Sequence, residues 1–127
     1  MDEYRVDFVE LESGNIPFEK FLNSVSKAER AEIITMIEEL RRKLSESEKI
    51  SVKISKYIRD GIFELRIKHL NKISRSFYFF QIGKLIVFTH GFIKKTQPIP
   101  FKEIDKAIKY KKIYEQRLKW KQNMKNM

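Results

Sequence analysis

Three strand-forming runs, joined by links only long enough for hairpins, constrain this chain more than any other feature. Between Asp60 and Pro100 it reads DGIFELRIKHL, then RSFYFF, then KLIVFTHGFIKKTQPIP. In the first run Phe63, Leu65 and Ile67 alternate with Glu64, Arg66 and Lys68, so the strand has two unlike faces. The other two runs are nearly continuous in apolar residues, the pattern of strands covered on both sides. Connections through Asn71-Lys72 and Ile82-Gly83 leave room for an antiparallel meander and nothing longer.

The flanking segments supply the rest of a layered fold. Tyr4 to Val9 alternates apolar and polar residues and reads as a half-buried strand. Ser13-Gly14-Asn15 is turn chemistry, and Pro17 suits the first turn of a short helix carrying Phe18, Phe21 and Leu22. Ser26-Lys27-Ala28-Glu29 has capping-box spacing, followed by Ile33, Ile34, Ile37, Leu40 and Leu44 as the buried stripe of a second helix that ends near Ser45 to Lys49. This helical hairpin is expected across one face of the sheet. An extended segment near Val52 to Ile58 precedes the tight turn at Asp60-Gly61. Past Pro98 and Pro100, the residues Phe101, Ile104, Ala107, Ile108 and Leu118 form the stripe of a last helix. The expectation is an α+β fold in one domain over residues 1–127: an N-terminal strand and helical hairpin packed on an antiparallel sheet, then a basic C-terminal helix and tail from about residue 100.

Composition narrows the function classes. With 42% hydrophobic and 13% aromatic residues the chain can fill a core despite being 35% charged. It has no cysteine, and its two histidines, His69 and His90, lie far apart in sequence, so no disulfide, zinc site, metal or cofactor is expected. No apolar run approaches the ~18 residues of a membrane span, and residues 1–25 lack the features of a secretory signal, so a cytoplasmic protein is expected. The net charge of +10 is unevenly placed: residues 1–50 hold 8 Lys/Arg against 12 Asp/Glu, whereas residues 94–127 hold 11 against 3. A polyanion or an acidic protein meeting the second half would account for this, and so would a lysine-rich genome.

Cations are also the only concentrated chemistry. No nucleophile elbow, glycine-rich phosphate loop or metal cluster occurs, and glycine appears only four times. RNA can be cleaved by its own 2′-hydroxyl when a protein supplies alignment, stabilisation of phosphate charge and proton transfer. Arg66, Arg75, Lys94 and Lys95 are candidates for the phosphate and His90 for proton transfer, with Arg59, Lys68, Lys111 and Lys112 as RNA-binding cations. Adjacent lysines lower one another's pKa, because like charges disfavour protonation. Singly, each also has an ordinary explanation: Lys94-Lys95 as solvated loop, Arg66 as ion pair with Glu64, Arg75 as an exposed strand end, His90 as a structural histidine. Phe77 to Phe80 read as core, with Tyr78 also able to stack on a base.

Taken in order, Gly61-Ile62-Phe63-Glu64-Leu65-Arg66, Arg75-Ser76-Phe77-Tyr78-Phe79 and His90-Gly91-Phe92-Ile93-Lys94-Lys95-Thr96-Gln97, with Pro100, Ile104 and Ala107, closely resemble the phage-derived HigB-like branch of the RelE/ParE toxin superfamily. The resemblance spans roughly residues 50–115. It implies the toxin of a type II toxin–antitoxin module, a metal-independent, ribosome-dependent messenger-RNA endoribonuclease whose partners are a helix-turn-helix, HigA-like antitoxin, the ribosome and mRNA. By motif, Arg66, Arg75, Lys94 and Lys95 fall where that family holds the scissile phosphate. The chain departs from it by having Phe101 near the place of a proton-transferring tyrosine, with Tyr110 and Tyr114 further on. That leaves the general base and acid open. Gyrase-binding ParE relatives share the fold, and a catalytically inactive phage or operon regulator is a third alternative.

Overall fold

A computed structural model describes residues 3–93 and 99–127 of the chain. Eight elements run in the order β1 (Arg5–Phe8), α1 (Pro17–Ser24), α2 (Lys27–Ser45), β2 (Ser55–Arg59), β3 (Ile62–His69), β4 (Lys72–Gln81), β5 (Leu85–Ile93) and α3 (Phe101–Lys125). The fold is α+β. Its five-stranded sheet has the order β1-β5-β4-β3-β2, so the expected meander β3-β4-β5 forms its centre. The sheet is mixed rather than wholly antiparallel, because β1 joins the outer side of β5 in parallel, Arg5 opposite Leu85 and Phe8 opposite Phe88. The helical hairpin carries the chain from β1 at one edge to β2 at the other, and the strands β2 to β5 then return step by step to β1.

Local signals were satisfied where they were strongest. Ser26 caps α2 and Glu29 reaches back to it, a complete capping box. Asp60 and Gly61 both have positive φ, the backbone of a tight two-residue hairpin turn, and connect β2 to β3. The segment expected as extended from Val52 begins as a turn and becomes a strand only at Ser55.

β4 is covered on both faces. On one, Leu65, Ile67, Tyr78, Ile86 and Phe88 pack against Phe18, Phe21 and Leu22 of α1 and Ile33, Ile37 and Leu40 of α2. On the other, Ile62, Phe77, Phe79 and Val87 meet Ala107 of α3. Three stripe residues fall outside these cores: Ile34 is 50% exposed, Phe101 is 78% exposed, and the half-buried Leu118 packs in neither. Ile34 directly follows the buried Ile33, and a 100° step takes it off the buried face. Phe101 opens α3 ahead of its first buried turn at Glu103 and Ile104. Tyr78 is buried, with its hydroxyl on Ser55, so it is a core residue and presents no face for stacking.

One irregularity decides which side chains face α3. Phe77 pairs with His90 but Tyr78 pairs with Phe88, so Thr89 is an extra residue in β5, a β-bulge. Strict alternation from Val87 would send positions 89 and 91 towards α3. The bulge passes that role to His90 and Phe92 and turns Gly91 towards α1. There a Cβ on Gly91 would stand 2.5 Å from Cδ2 of the Phe21 ring. Gly91→Ala should therefore destabilise the fold by about 1–3 kcal/mol, the usual cost of forcing volume into a packed core. Thermal or urea melts check this, and a variant as stable as the parent would show that Phe21 can move aside.

Candidate functional site

β3 and β4 bring two arginines face to face. Arg66 and Arg75 are direct cross-strand partners on the side of the sheet that α3 shares. Like charges in that arrangement repel. Arg75 is only 1% exposed, where an uncompensated charge costs several kcal/mol. Glu64, 2% exposed, answers both problems: its Oε1 accepts a hydrogen bond from Arg75 Nη1 at 2.6 Å and lies 3.1 Å from Arg66 Nε. One carboxylate between two guanidinium groups leaves a net charge of +1. Arg66 keeps 29% of its side chain exposed. No hydrogen bond to a described residue engages its terminal nitrogens, and Arg75 Nε likewise has no partner among the described residues.

Glu64, Phe77 and His90 form the next row across the same strands. His90 is buried; its Nδ1 lies 3.1 Å from Thr89 Oγ1, and its Nε2 has no hydrogen-bond partner among the described residues. Glu103 Oε1 is 3.7 Å from that Nε2 and 3.2 Å from Lys106 Nζ. Burial pushes the imidazole down to about 4, with Glu103 pulling it up and Lys106 adding to the depression. At neutral pH it is an uncharged ring that can accept a proton. Tyr110 of α3 sets its ring edge-on to His90, 5.6 Å between centroids. Tyr114 is occupied elsewhere, donating to Asp7 Oδ2 at 2.8 Å, and burial together with that carboxylate raises its pKa.

Both rows lie on the α3 face of the sheet, with His90 at the β5 end of its row. A groove of about 470 Å³ lies between α2 and β3 on the opposite face, walled by Met36, Ile54 and Ile67; Arg66 and Lys68 border it as part of β3, but they alternate with Ile67 and so direct their side chains to the α3 face. His90 and Phe92 line a second groove of about 470 Å³, between α1 and α3. The sheet thus gathers Arg66, Arg75 and Lys68 on the α3 face, with His90 in the row next to that of the two arginines. Arg59 is held by Asp60 and Asp105, each at 2.9 Å, and Lys111 Nζ donates to the Asp60 carbonyl at 2.9 Å. Both stand at the β2–β3 turn, remote in register from Arg66, and Lys112 is exposed on α3 nearby. Lys94 and Lys95 lie outside the described residues. Arg75 is no exposed strand end: it is the most deeply buried cation of the site. Glu64 could be read from its i,i+2 spacing to Arg66, but only as a surface ion pair; nothing in the sequence marked Glu103 and Lys106 as neighbours of His90.

The phage-derived, Gp49-like family (DUF891) matches residues 20–112. The chain belongs to that family. It falls within the RelE/HigB-like toxin superfamily, which is consistent with a toxin of a toxin–antitoxin system. No curated protein matches the chain. The Gp49-like span contains Glu64, Arg66, Arg75, His90 and Glu103 and ends within α3, ahead of Tyr114 and the exposed Trp120. Among the described residues no helix is long and apolar enough to cross a membrane.

The buried pair makes Glu64→Ala severely destabilising, by about 3–5 kcal/mol, since it strands Arg75 without a counter-ion. Chemical denaturation measures this, and a loss below about 1 kcal/mol would mean that water reaches Arg75. His90 gives stability a definite pH dependence. Its folded pKa lies below the ordinary 6.5, so on acidification the unfolded chain takes up a proton that the folded chain refuses. Stability should fall by roughly 3 kcal/mol as pH drops from 6.5 to 4, and His90→Gln should flatten that window. Melts across the range, with the imidazole titration followed by NMR, test it.

Proposed function

We propose that this protein is the toxin of a phage-derived, HigB-like toxin–antitoxin pair and that it cuts messenger RNA on the ribosome. Membership of the Gp49-like family supports the toxin reading. The observation that carries the RNase reading is Arg66: a partly exposed guanidinium, braced by a buried carboxylate on a central strand, with Lys68 on the same face of that strand. A fork held in this way meets the non-bridging oxygens of a phosphodiester without first losing side-chain freedom. As the 2′-hydroxyl attacks the adjacent phosphorus and the 5′ oxygen leaves, charge builds on those oxygens, and a fixed cation stabilises the transition state more than the ground state. Lys94 and Lys95, which follow β5 in sequence, would complete the cationic set. The ribosome would hold the RNA in line.

The cognate antitoxin is proposed to be a helix-turn-helix protein with an acidic surface, since the second half of this chain is strongly basic. Its association should be steered by charge and weakened by salt.

Induction in a bacterial host, with RNA 5′ ends mapped, tests the activity: translated messages should gain new in-frame ends. Arrested growth with intact transcripts and broken DNA would overturn it in favour of gyrase poisoning. In single-turnover cleavage on programmed ribosomes, Arg66→Ala should lose a few hundred-fold in rate, about 3–4 kcal/mol. Lys112→Ala, Lys119→Ala and Lys121→Ala should only weaken binding modestly and flatten its salt dependence. Equal, small losses from all four would leave a diffuse basic surface in place of a site.

A further inference from the structure

The last turns of α3 carry a large aromatic side chain that the fold does not use. Trp120 is 63% exposed, and no ring or cation of a described residue packs on its indole. We propose that the groove it lines, between the β1–α1 loop and the outer face of α3, is a subsite for one nucleotide of a single-stranded RNA. The base lies on the indole and the flanking phosphates on the lysines around it. This rests on the RNase reading for the source of the RNA, though not for the site itself.

Three observations carry it. The groove encloses about 930 Å³, walled by Leu11, Ile113 and the rings of Tyr110 and Trp120, with Ser13 and Gln116 as hydrogen-bonding groups for a base edge. Its walls are tied together. Arg117 Nη1 donates to the Glu10 carbonyl at 2.8 Å, and the loop closes on itself from Leu11 N to Asn15 O at 2.8 Å, so a base enters a preformed slot. The third observation is charge. From Lys109 to Lys125 the chain holds seven Lys/Arg and one acid, Glu115, which lies about 140° around the helix from Trp120. Lys111 and Arg117 are engaged by backbone carbonyls, whereas Lys109, Lys112, Lys119, Lys121 and Lys125 pair with no described residue. Glu12 is the one acid on the groove and sits on its loop wall, so phosphate is expected on the helix wall.

The same observations select among occupants. A second copy would bring two strongly basic helices together. An acidic protein helix would answer the charge but needs a continuous apolar stripe, and here Gln116 and Arg117 interrupt the face between Ile113 and Trp120. A lone open aromatic among lysines suits an unpaired base, because every base has a π-face to stack. A duplex keeps its bases stacked on one another and offers Trp120 nothing. Tyr110 lines both this groove and the His90 groove, and Trp120 stands about 15 Å further along the helix. A strand of RNA following α3 therefore passes His90 and reaches the indole, which would add affinity without chemistry.

Trp120 is the one tryptophan of the chain, so its fluorescence reports this site alone. A single-stranded 2′-O-methyl RNA, which cannot be cut, should quench it saturably. Heparin, a polyanion without bases, should bind and leave the emission unquenched. Equal quenching by both, or none by the RNA, overturns the proposal. In filter binding of the same RNA, Trp120→Ala should lower affinity roughly 5- to 150-fold, the range of one base–aromatic contact, and Trp120→Phe should retain most of it. Duplex RNA should bind the parent and Trp120→Ala alike. No loss, or equal losses for single strand and duplex, removes the stacking role. Thermal melts of each variant should match the parent, since the side chain is mostly exposed. An acidic amphipathic peptide that shifts the indole emission to the blue, where RNA leaves it unchanged, would overturn the proposal in favour of a protein-docking face. On programmed ribosomes Trp120→Ala should raise KM several-fold and leave kcat near the parent value, as loss of uniform binding does. If RNA quenches Trp120 but no message is cut, the subsite stands and the RNase reading falls. If messages are cut and Trp120→Ala binds and cuts as the parent does, the reverse holds.

Discussion

A carboxylate enclosed between two guanidinium groups holds this structure's polar interior together. Glu64 and Arg75 are both essentially without solvent, on the central strands of the sheet. Each would be intolerable there alone, because the desolvation of either ion is repaid only by the other. The strand that carries Arg75 is also the one buried on both faces, so the ion pair and the two apolar cores share one backbone. A disturbance of the pair is therefore transmitted to the packing of Phe77 and Phe79 against α3. The same carboxylate, reaching outward to Arg66, links that interior to the surface.

The second constraint is geometric. A single extra residue at Thr89 shifts the phase of β5 halfway along its length. Below the bulge, Val87 faces α3; above it, His90 and Phe92 do, and Gly91 is brought against Phe21. The shift places a histidine among Phe77, Glu103 and Tyr110, in surroundings dry enough to keep it neutral. It also sets His90 in the row beside Arg66 and Arg75 on the α3 face, with a groove that opens towards α1.

Charge is divided in the same way. Several acids of the first fifty residues are engaged along α2, as where Glu38 meets Arg41 and Glu39, Glu46 and Glu48 converge on Arg42. Several basic side chains of the second half are tethered too: Arg59 to two aspartates, Lys111 to a carbonyl, Arg117 to Glu10. Net charge thus overstates the number of cations free to meet a polyanion. Arg66, by contrast, keeps part of its side chain exposed on β3.

Much of the architecture was written in local pattern. Alternation in Phe63 to Lys68, the hairpin turn at Asp60-Gly61, the capping box at Ser26 and the short links among the three runs determined α+β order and the central meander, because each depends on residues close in sequence. The motif series was likewise legible: it pointed to the toxin superfamily within which the Gp49-like match falls, and it singled out Arg66 and Arg75 as candidates. Three things needed the tertiary structure. Parallel docking of β1 on β5 is a long-range choice that no local spacing encodes. The bulge at Thr89 is invisible in a run where every residue is strand-forming, yet it decides which face His90 occupies. The inequality of the arginines is the third: both are cations on strands, and only the packing around β4 buries one and leaves its cross-strand partner at the surface. Periodicity in the chain says which side chains share a face; how deep each one lies is set by what folds over it.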